Sequence, residues 1–297
     1  MKINLATHYG MCFGVRDAIQ KTHEIAQTGS AAVLGELVHN PVVRQNLDDA
    51  GVSAGTLDDD PGSIAADAVI FTAHGVADSV RKSWSESGKE VFDTTCPLVR
   101  KAHRSLECLV LAGFKPVVIG RYDHVEVRGL VTDFPDAVVV LDEADFSEIP
   151  GPWDKIGVVS QTTQPVTHVE ELVSKLRASR PAAEVRFIDT VCQPTKDRQS
   201  ALQELAAKCD TIVVVGGSNS NNTRQLAVKA EGLGCRSFHV ESPDDLKFSW
   251  FVKAENVGVT AGTSTLDETV QAVVRRLEKF SAEKRRMELF DTLKEIA

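Results

Sequence analysis

The sequence predicts an α/β protein built from three similar units with small, mostly parallel sheets. Three observations carry this. Short continuous apolar runs recur along the chain: Ala68–Phe71, Pro116–Ile119, Ile156–Val159, Ile212–Val215 and Val257–Val259. Helical periodicities alternate with them, as in Val15, Ala18, Ile19 and Ile25, or Leu266, Val270, Val273, Val274 and Leu277. A strand-to-helix junction carrying a cysteine occurs three times.

Each element has a physical reason. Runs that are apolar at every position suit parallel strands covered on both faces by helices. Alternation of such strands with amphipathic helices defines the α/β class. The repeat is explicit in Asp93-Thr94-Thr95-Cys96-Pro97 and Asp189-Thr190-Val191-Cys192-Gln193-Pro194. Both read as strand, Asp-Thr-x-Cys, then a proline suited to the first turn of a helix. Cys12 follows the strand Ile3–Ala6 and precedes a helix. The spacings from Cys12 to Cys96 and from Cys96 to Cys192 are 84 and 96 residues. Regular spacing of one element predicts units 13–96, 97–191, and 192–280 joined by the N-terminal strand 1–12. Two unrelated α/β domains with coincidental spacing are the alternative. Beyond the charged stretch Ser281–Arg286, Met287, Leu289, Phe290 and Leu293 predict a C-terminal helix or arm over 281–297, packed on the body.

Composition excludes several classes of function. The net charge of −9 gives no global basic field for nucleic acid. No apolar run reaches bilayer-spanning length. The first residues read as a strand rather than a signal peptide. The expected location is therefore the cytoplasm, where thiols stay reduced. The six cysteines are then ligands, catalytic groups or free thiols, not disulfides. Cys108, Cys209 and Cys235 read as buried structural thiols. No Walker pattern and no Gly-x-Gly-x-x-Gly after a strand is present, so no nucleotide cofactor is indicated.

Ligands of α/β proteins bind beyond the carboxyl ends of the strands. Polar residues collect there: Glu36–Asn40, Thr72–Gly75, Arg121–Glu126, Ser160–Thr163, Gly216–Thr223 and Thr260–Ser264. Hydroxyls, amides, imidazoles and turn N–H groups suit an anion such as phosphate. Ser264 with Asp267 also reads as a capping box for the last helix. Helix N-termini favour thiolate chemistry at Cys12, Cys96 and Cys192, which suits metal binding or nucleophilic work. On the residues alone three readings stay open: an iron–sulfur cluster with one iron lacking a thiolate, a structural zinc, or one histidine-activated nucleophile.

Eight segments in order resemble the LytB (IspH) family of 4-hydroxy-3-methylbut-2-enyl diphosphate reductases. They are Gly10–Val15, Val38–Asn40, Ala73–Val76, Asp93–Pro97, His124–Val127, Gln161–Thr163, Asp189–Cys192 and Thr260–Ser264. The resemblance implies three units arranged pseudo-threefold around a central [4Fe-4S] cluster with one open iron. Cys12, Cys96 and Cys192 would ligate it. His39, His74, His124, Ser220, Asn221, Asn222 and Ser264 would surround the diphosphate. Glu126 would deliver protons with Thr162 and His124 beside it. The implied reaction is reductive dehydroxylation to isopentenyl and dimethylallyl diphosphate, with a ferredoxin or flavodoxin as electron donor. Arg121, Val125, Asn221, Thr263 and Leu266 depart from the family pattern. They raise the alternative of a divergent paralogue that acts on another diphosphate or serves as a redox-sensing binding protein.

Overall fold

The computed structural model describes residues 1–296, and of residues 291 and 294–296 the backbone alone. The chain forms two compact units, Phe13–Gln193 and Met1–Cys12 with Pro194–Ala297. The elements run β1 (Lys2–Leu5), α1 (Phe13–Ala26), β2 (Ala31–Leu34), α2 (Pro41–Asp49), β3 (Ser53–Gly55), β4 (Ala68–Phe71), α3 (Asp78–Ser85), β5 (Glu90–Asp93) and α4 (Pro97–Leu111). They continue with β6 (Lys115–Ile119), α5 (Val125–Val131), β7 (Val138–Val140), β8 (Lys155–Ser160), α6 (Val166–Ser179), β9 (Glu184–Phe187) and α7 (Gln193–Ala206). The last are β10 (Thr211–Val215), α8 (Asn221–Gly232), β11 (Arg236–Val240), β12 (Asn256–Ala261) and α9 (Asp267–Ile296).

The expected α/β class and the three similar units are present. Three four-stranded sheets form, ordered β3-β2-β4-β5, β7-β6-β8-β9 and β11-β10-β12-β1. Every pairing within them is parallel. The same order recurs three times, with β1 taking the fourth place in the last sheet. The apolar runs identified in the sequence are β4, β6, β8, β10 and β12, five of the six inner strands of these sheets. Their side chains are buried on both faces, which explains why they alternate so little.

In the Phe13–Gln193 unit, one face of the second sheet packs Val117, Ile119, Ile156 and Val158 against Val169, Leu172 and Leu176 of α6. The other face packs Val118 and Val159 against Ala102, Leu106 and Leu109 of α4. In the other unit, Val213, Val257 and Val259 meet Val270, Val273 and Leu277 of α9. Ile212 and Val214 meet Leu202 and Leu205 of α7 on the opposite face.

Helix α9 runs unbroken past Phe280, so most of the expected C-terminal arm is its continuation. Ser281 Oγ donates to the Met1 carbonyl and Lys284 Nζ to the Ala254 carbonyl. Beyond them Met287, Leu289 and Leu293 are exposed rather than packed. Ala297 lies outside the described residues.

Gly258 on β12 lies close against α7. A Cβ there would lie 2.6 Å from Ile212 Cδ1 and 2.7 Å from Leu205 Cγ. Gly258→Ala should therefore destabilise the chain by about 1–3 kcal/mol, the usual cost of overpacking a filled core. Urea unfolding reads this directly; an unchanged midpoint would mean the α7–sheet contact is loose.

Candidate functional site

The three cysteines are presented by one recurring device. Each edge strand, β5, β9 or β1, leads toward its cysteine. The Cys96 amide donates to the Ala73 carbonyl at 3.1 Å, Cys192 to Thr162 at 2.9 Å, and Cys12 to Thr263 at 2.9 Å. Ala73, Thr162 and Thr263 each lie two residues beyond the neighbouring strand, β4, β8 or β12.

The Asp-Thr-x-Cys motif explains two of the loops. Asp93 Oδ1 accepts from Thr95 N at 2.9 Å, and Asp189 Oδ1 from Val191 N at 3.0 Å. Each is an Asx turn that closes the chain just before its cysteine. Thr94 Oγ1 donates to Phe71 O and Thr190 Oγ1 to Ser160 O, both at 2.6 Å. Cys96 then stands at the N-cap of α4, with Pro97 as the first helical residue. The Asp93 carboxyl is held below its usual range: although burial pushes upward, the Thr95 bonds, Arg81 and Arg100 outweigh it. Gly14 leaves room for the thiol. A Cβ on it would lie 2.4 Å from Cys96 Sγ.

The same unit gathers three histidines beyond the carboxyl ends of β2, β4 and β6. Ring centroids are 4.3 Å apart for His39 and His74, 5.3 Å for His39 and His124, and 5.8 Å for His74 and His124. Glu36 Oε2 lies 2.7 Å from His39 Nδ1, and this hydrogen bond holds the Glu36 carboxyl below its ordinary range. Burial, then the neighbouring His39 and His124, keep His74 well below the usual imidazole range. His74 is therefore neutral near pH 7. His124 caps α5, its Nδ1 accepting from Glu126 N at 3.1 Å.

Glu126 is 2% exposed in the first turn of α5. Its Oε1 accepts from Thr162 N at 2.6 Å and its Oε2 from Thr162 Oγ1 at 2.9 Å. Burial raises this carboxyl to about 7, against the pull of the two Thr162 bonds. Thr162 thus joins two functions: its N–H and O–H hold Glu126, and its carbonyl holds the Cys192 amide. Gln161, fully buried, supports the loop by accepting from Arg121 N and Gln164 Nε2.

The remaining residues lie in the other unit. Ser220 is the N-cap of α8, accepting from Thr223 N, and Asn221 and Asn222 fill its first turn, buried. Asn222 Nδ2 is buried with no hydrogen-bond partner among the described residues. Two glycines allow the loops to meet: a Cβ on Gly262 would lie 2.0 Å from Thr223 Oγ1, and one on Gly216 2.6 Å. The capping box expected at Ser264 does not form. Helix α9 begins three residues later at Asp267, and its first bonds end on the Leu266 carbonyl. Among the departures, Val125 starts α5, Thr263 O receives the Cys12 amide, and Arg121 pairs with Asp123. Cys209 and Cys235 are buried as expected, whereas Cys108 is exposed on α4.

The family model for the LytB protein matches residues 3–278. The chain belongs to the LytB family. A 4-hydroxy-3-methylbut-2-enyl diphosphate reductase of Geotalea uraniireducens is 37% identical over 285 residues, 96% of this chain and 99% of that protein. The enzyme of that name from Campylobacter jejuni is 36% identical, covering 94% of this chain and 99% of the relative. The Plasmodium falciparum E-1-hydroxy-2-methyl-but-2-enyl-4-diphosphate reductase superposes with a TM-score of 0.86 at 26% identity, over 92% of this chain and 87% of that one. A second solved reductase, described as the terminal enzyme of the non-mevalonate pathway, has a TM-score of 0.65 at 30% identity, covering 94% and 100%. No helix among the described residues is long and apolar enough to cross a membrane.

Two features of the LytB-like site escaped the sequence. Gly14 follows Cys12 by two residues and shows its role only once Cys96 is beside it. The double use of Thr162 depends on partners 36 residues before it and 30 after it.

The buried acid sets a pH signature. Below about pH 4.5 folded and unfolded chains both hold the Glu126 proton. Between about 4.5 and about 7 the unfolded chain releases it while the folded chain keeps it. Stability from this group therefore falls as pH rises through that window and is level above it. Glu126→Gln should abolish that slope, so the variant gains roughly 3 kcal/mol on the wild type between pH 4 and 8. Urea unfolding at both pH values measures it; parallel profiles would contradict a raised carboxyl.

Proposed function

We propose that the chain reductively dehydroxylates 4-hydroxy-3-methylbut-2-enyl diphosphate to isopentenyl and dimethylallyl diphosphate. The observation that carries this reading is the buried Glu126 carboxyl, raised to about 7 and joined through Thr162 to the Cys192 loop. The names of the relatives agree with it.

A [4Fe-4S] cluster on Cys12, Cys96 and Cys192, with one iron free of protein thiolate, would supply the electrons and a Lewis acid for the hydroxyl. The residues fit that group. The backbone amide of each cysteine is held by a carbonyl just past an inner strand, and Gly14 keeps the space beside Cys96 Sγ clear. Among the described residues no three His, Cys, Asp or Glu side chains form a ready-made metal site. The reading therefore rests on how each thiol is presented.

The reaction needs two electrons and two protons. The allylic C–O bond breaks, a C–H bond forms, and water leaves. Glu126 is suited to give a proton, because near pH 7 its carboxyl is close to half protonated and stays out of bulk water. Thr162 fixes the carboxyl by two bonds, so the donor does not wander. Neutral His74, packed among His39 and His124, offers an N–H donor to an anionic substrate. Asn222 Nδ2, buried and unpartnered, is the amide donor that a diphosphate oxygen would satisfy. Ser220, Asn221 and Ser264 are assigned to the same diphosphate. A ferredoxin or flavodoxin would deliver the electrons, in a cytosol where the thiols stay reduced.

Anaerobically reconstituted protein should oxidise reduced methyl viologen when the substrate is added and release both five-carbon diphosphates. Glu126→Gln should keep its iron but lose turnover by about 10²–10⁴-fold. Gly14→Ala should instead lose iron, because its Cβ and Cys96 Sγ compete for one space. Full turnover in Glu126→Gln would remove this acid from the mechanism. No turnover in an iron-replete wild type would direct the search to another diphosphate.

A further inference from the structure

The loop before Cys12 lacks what steadies the other two. Cys96 follows the end of β5 by three residues and Cys192 follows β9 by five, each behind an Asx turn. Cys12 follows β1 by seven, through Ala6-Thr7-His8-Tyr9-Gly10-Met11, with no Asp in the loop. A longer loop without its own cap needs support from elsewhere.

That support is Arg198. It sits on α7, 6% exposed. Its Nε and Nη2 both donate to the Gly10 carbonyl, at 3.1 and 2.5 Å. Nη2 also approaches Tyr9 O at 3.5 Å, and Nη1 donates to Pro194 O at 2.8 Å. Gly10 is pinned from the other side as well. Its amide donates to Ala261 O, its φ is +70°, and a Cβ would lie 2.7 Å from Asp267 Oδ1. Two residues on, the Cys12 amide meets Thr263 O. A guanidinium that reaches one carbonyl through two of its nitrogens fixes direction as well as distance, which a lysine ammonium does not.

We infer that Arg198 is the positioning residue for Cys12: it takes the place of the Asx turn found before Cys96 and Cys192 and sets the orientation in which this thiolate meets an iron–sulfur cluster. The inference rests on the reading of Cys12 as a cluster ligand. Arg198 acts through the Gly10 carbonyl. Groups that orient metal ligands commonly change metal retention by about 10- to 100-fold when removed.

The test uses full-length chains reconstituted anaerobically: wild type, Arg198→Met, Arg198→Lys and, as a comparator, Arg180→Met. Arg180 also donates to carbonyls, those of Phe146 and Ile149, neither of which belongs to a cysteine loop. Iron and sulfide per chain, the rate of iron loss in air, and the EPR spectrum of the reduced cluster are read alongside the urea midpoint. Arg198→Met should lose iron about 10–100-fold faster and shift the EPR spectrum. Arg180→Met should lower the midpoint yet keep wild-type iron retention and spectrum. Arg198→Lys keeps the charge and serves if Arg198→Met does not fold. Folded Arg198 variants with wild-type spectra and iron loss would overturn the inference. Failure of both Arg198 variants to fold would also overturn it, in favour of a folding role. A wild type that takes up no iron would remove the ligand reading itself, and this inference with it.

Discussion

One backbone hydrogen bond recurs at the mouth of every sheet, from the amide of a cysteine to a carbonyl two residues past the adjacent strand. Its partner strand is rigid because it is an inner strand of a four-stranded parallel sheet. The bond therefore transfers the rigidity of a packed core to a loop that would otherwise drift. It also constrains the chain around it. The edge strand must end early enough for the loop to turn, and the next helix must start close to the thiol. Asp93, Asp189 and Pro97 meet those demands locally. The Cys12 loop meets them through distant residues, Arg198 and Thr263.

Thr162 extends the same constraint to proton chemistry. One residue holds the Cys192 amide with its carbonyl and the Glu126 carboxylate with its N–H and O–H. The positions of acid and thiol are thus coupled through three short bonds. Burial disfavours charge on both Glu126 and His74. Glu126 can therefore offer a proton and His74 a neutral donor.

Five of the six inner strands were legible because a strand buried on both faces must be apolar at every position, as in Ile212–Val215. The Asp-Thr-x-Cys repeat was legible because each Asx turn is closed within three residues. Long-range partners were not. Arg198 binds a carbonyl 188 residues away, and no side-chain pattern marks a carbonyl as an acceptor. Gly14 reads as an ordinary helix residue until Cys96 Sγ is beside it. Ser264 was misread as a cap because a polar residue before an apolar periodicity looks alike whether the helix starts at once or three residues later. Cys108 was misplaced by helix phase: the buried face of α4 is Ala102, Leu106 and Leu109, and position 108 points off it.

Three presented thiols are proposed to hold one cluster with a single distinct iron open to substrate. Mössbauer spectroscopy of the protein reconstituted with ⁵⁷Fe, with and without 4-hydroxy-3-methylbut-2-enyl diphosphate, tests it most directly. The account predicts about four irons per chain, one of them distinct and shifting when substrate binds. Four equivalent irons indifferent to substrate, or a chain that takes up zinc in their place, would contradict it.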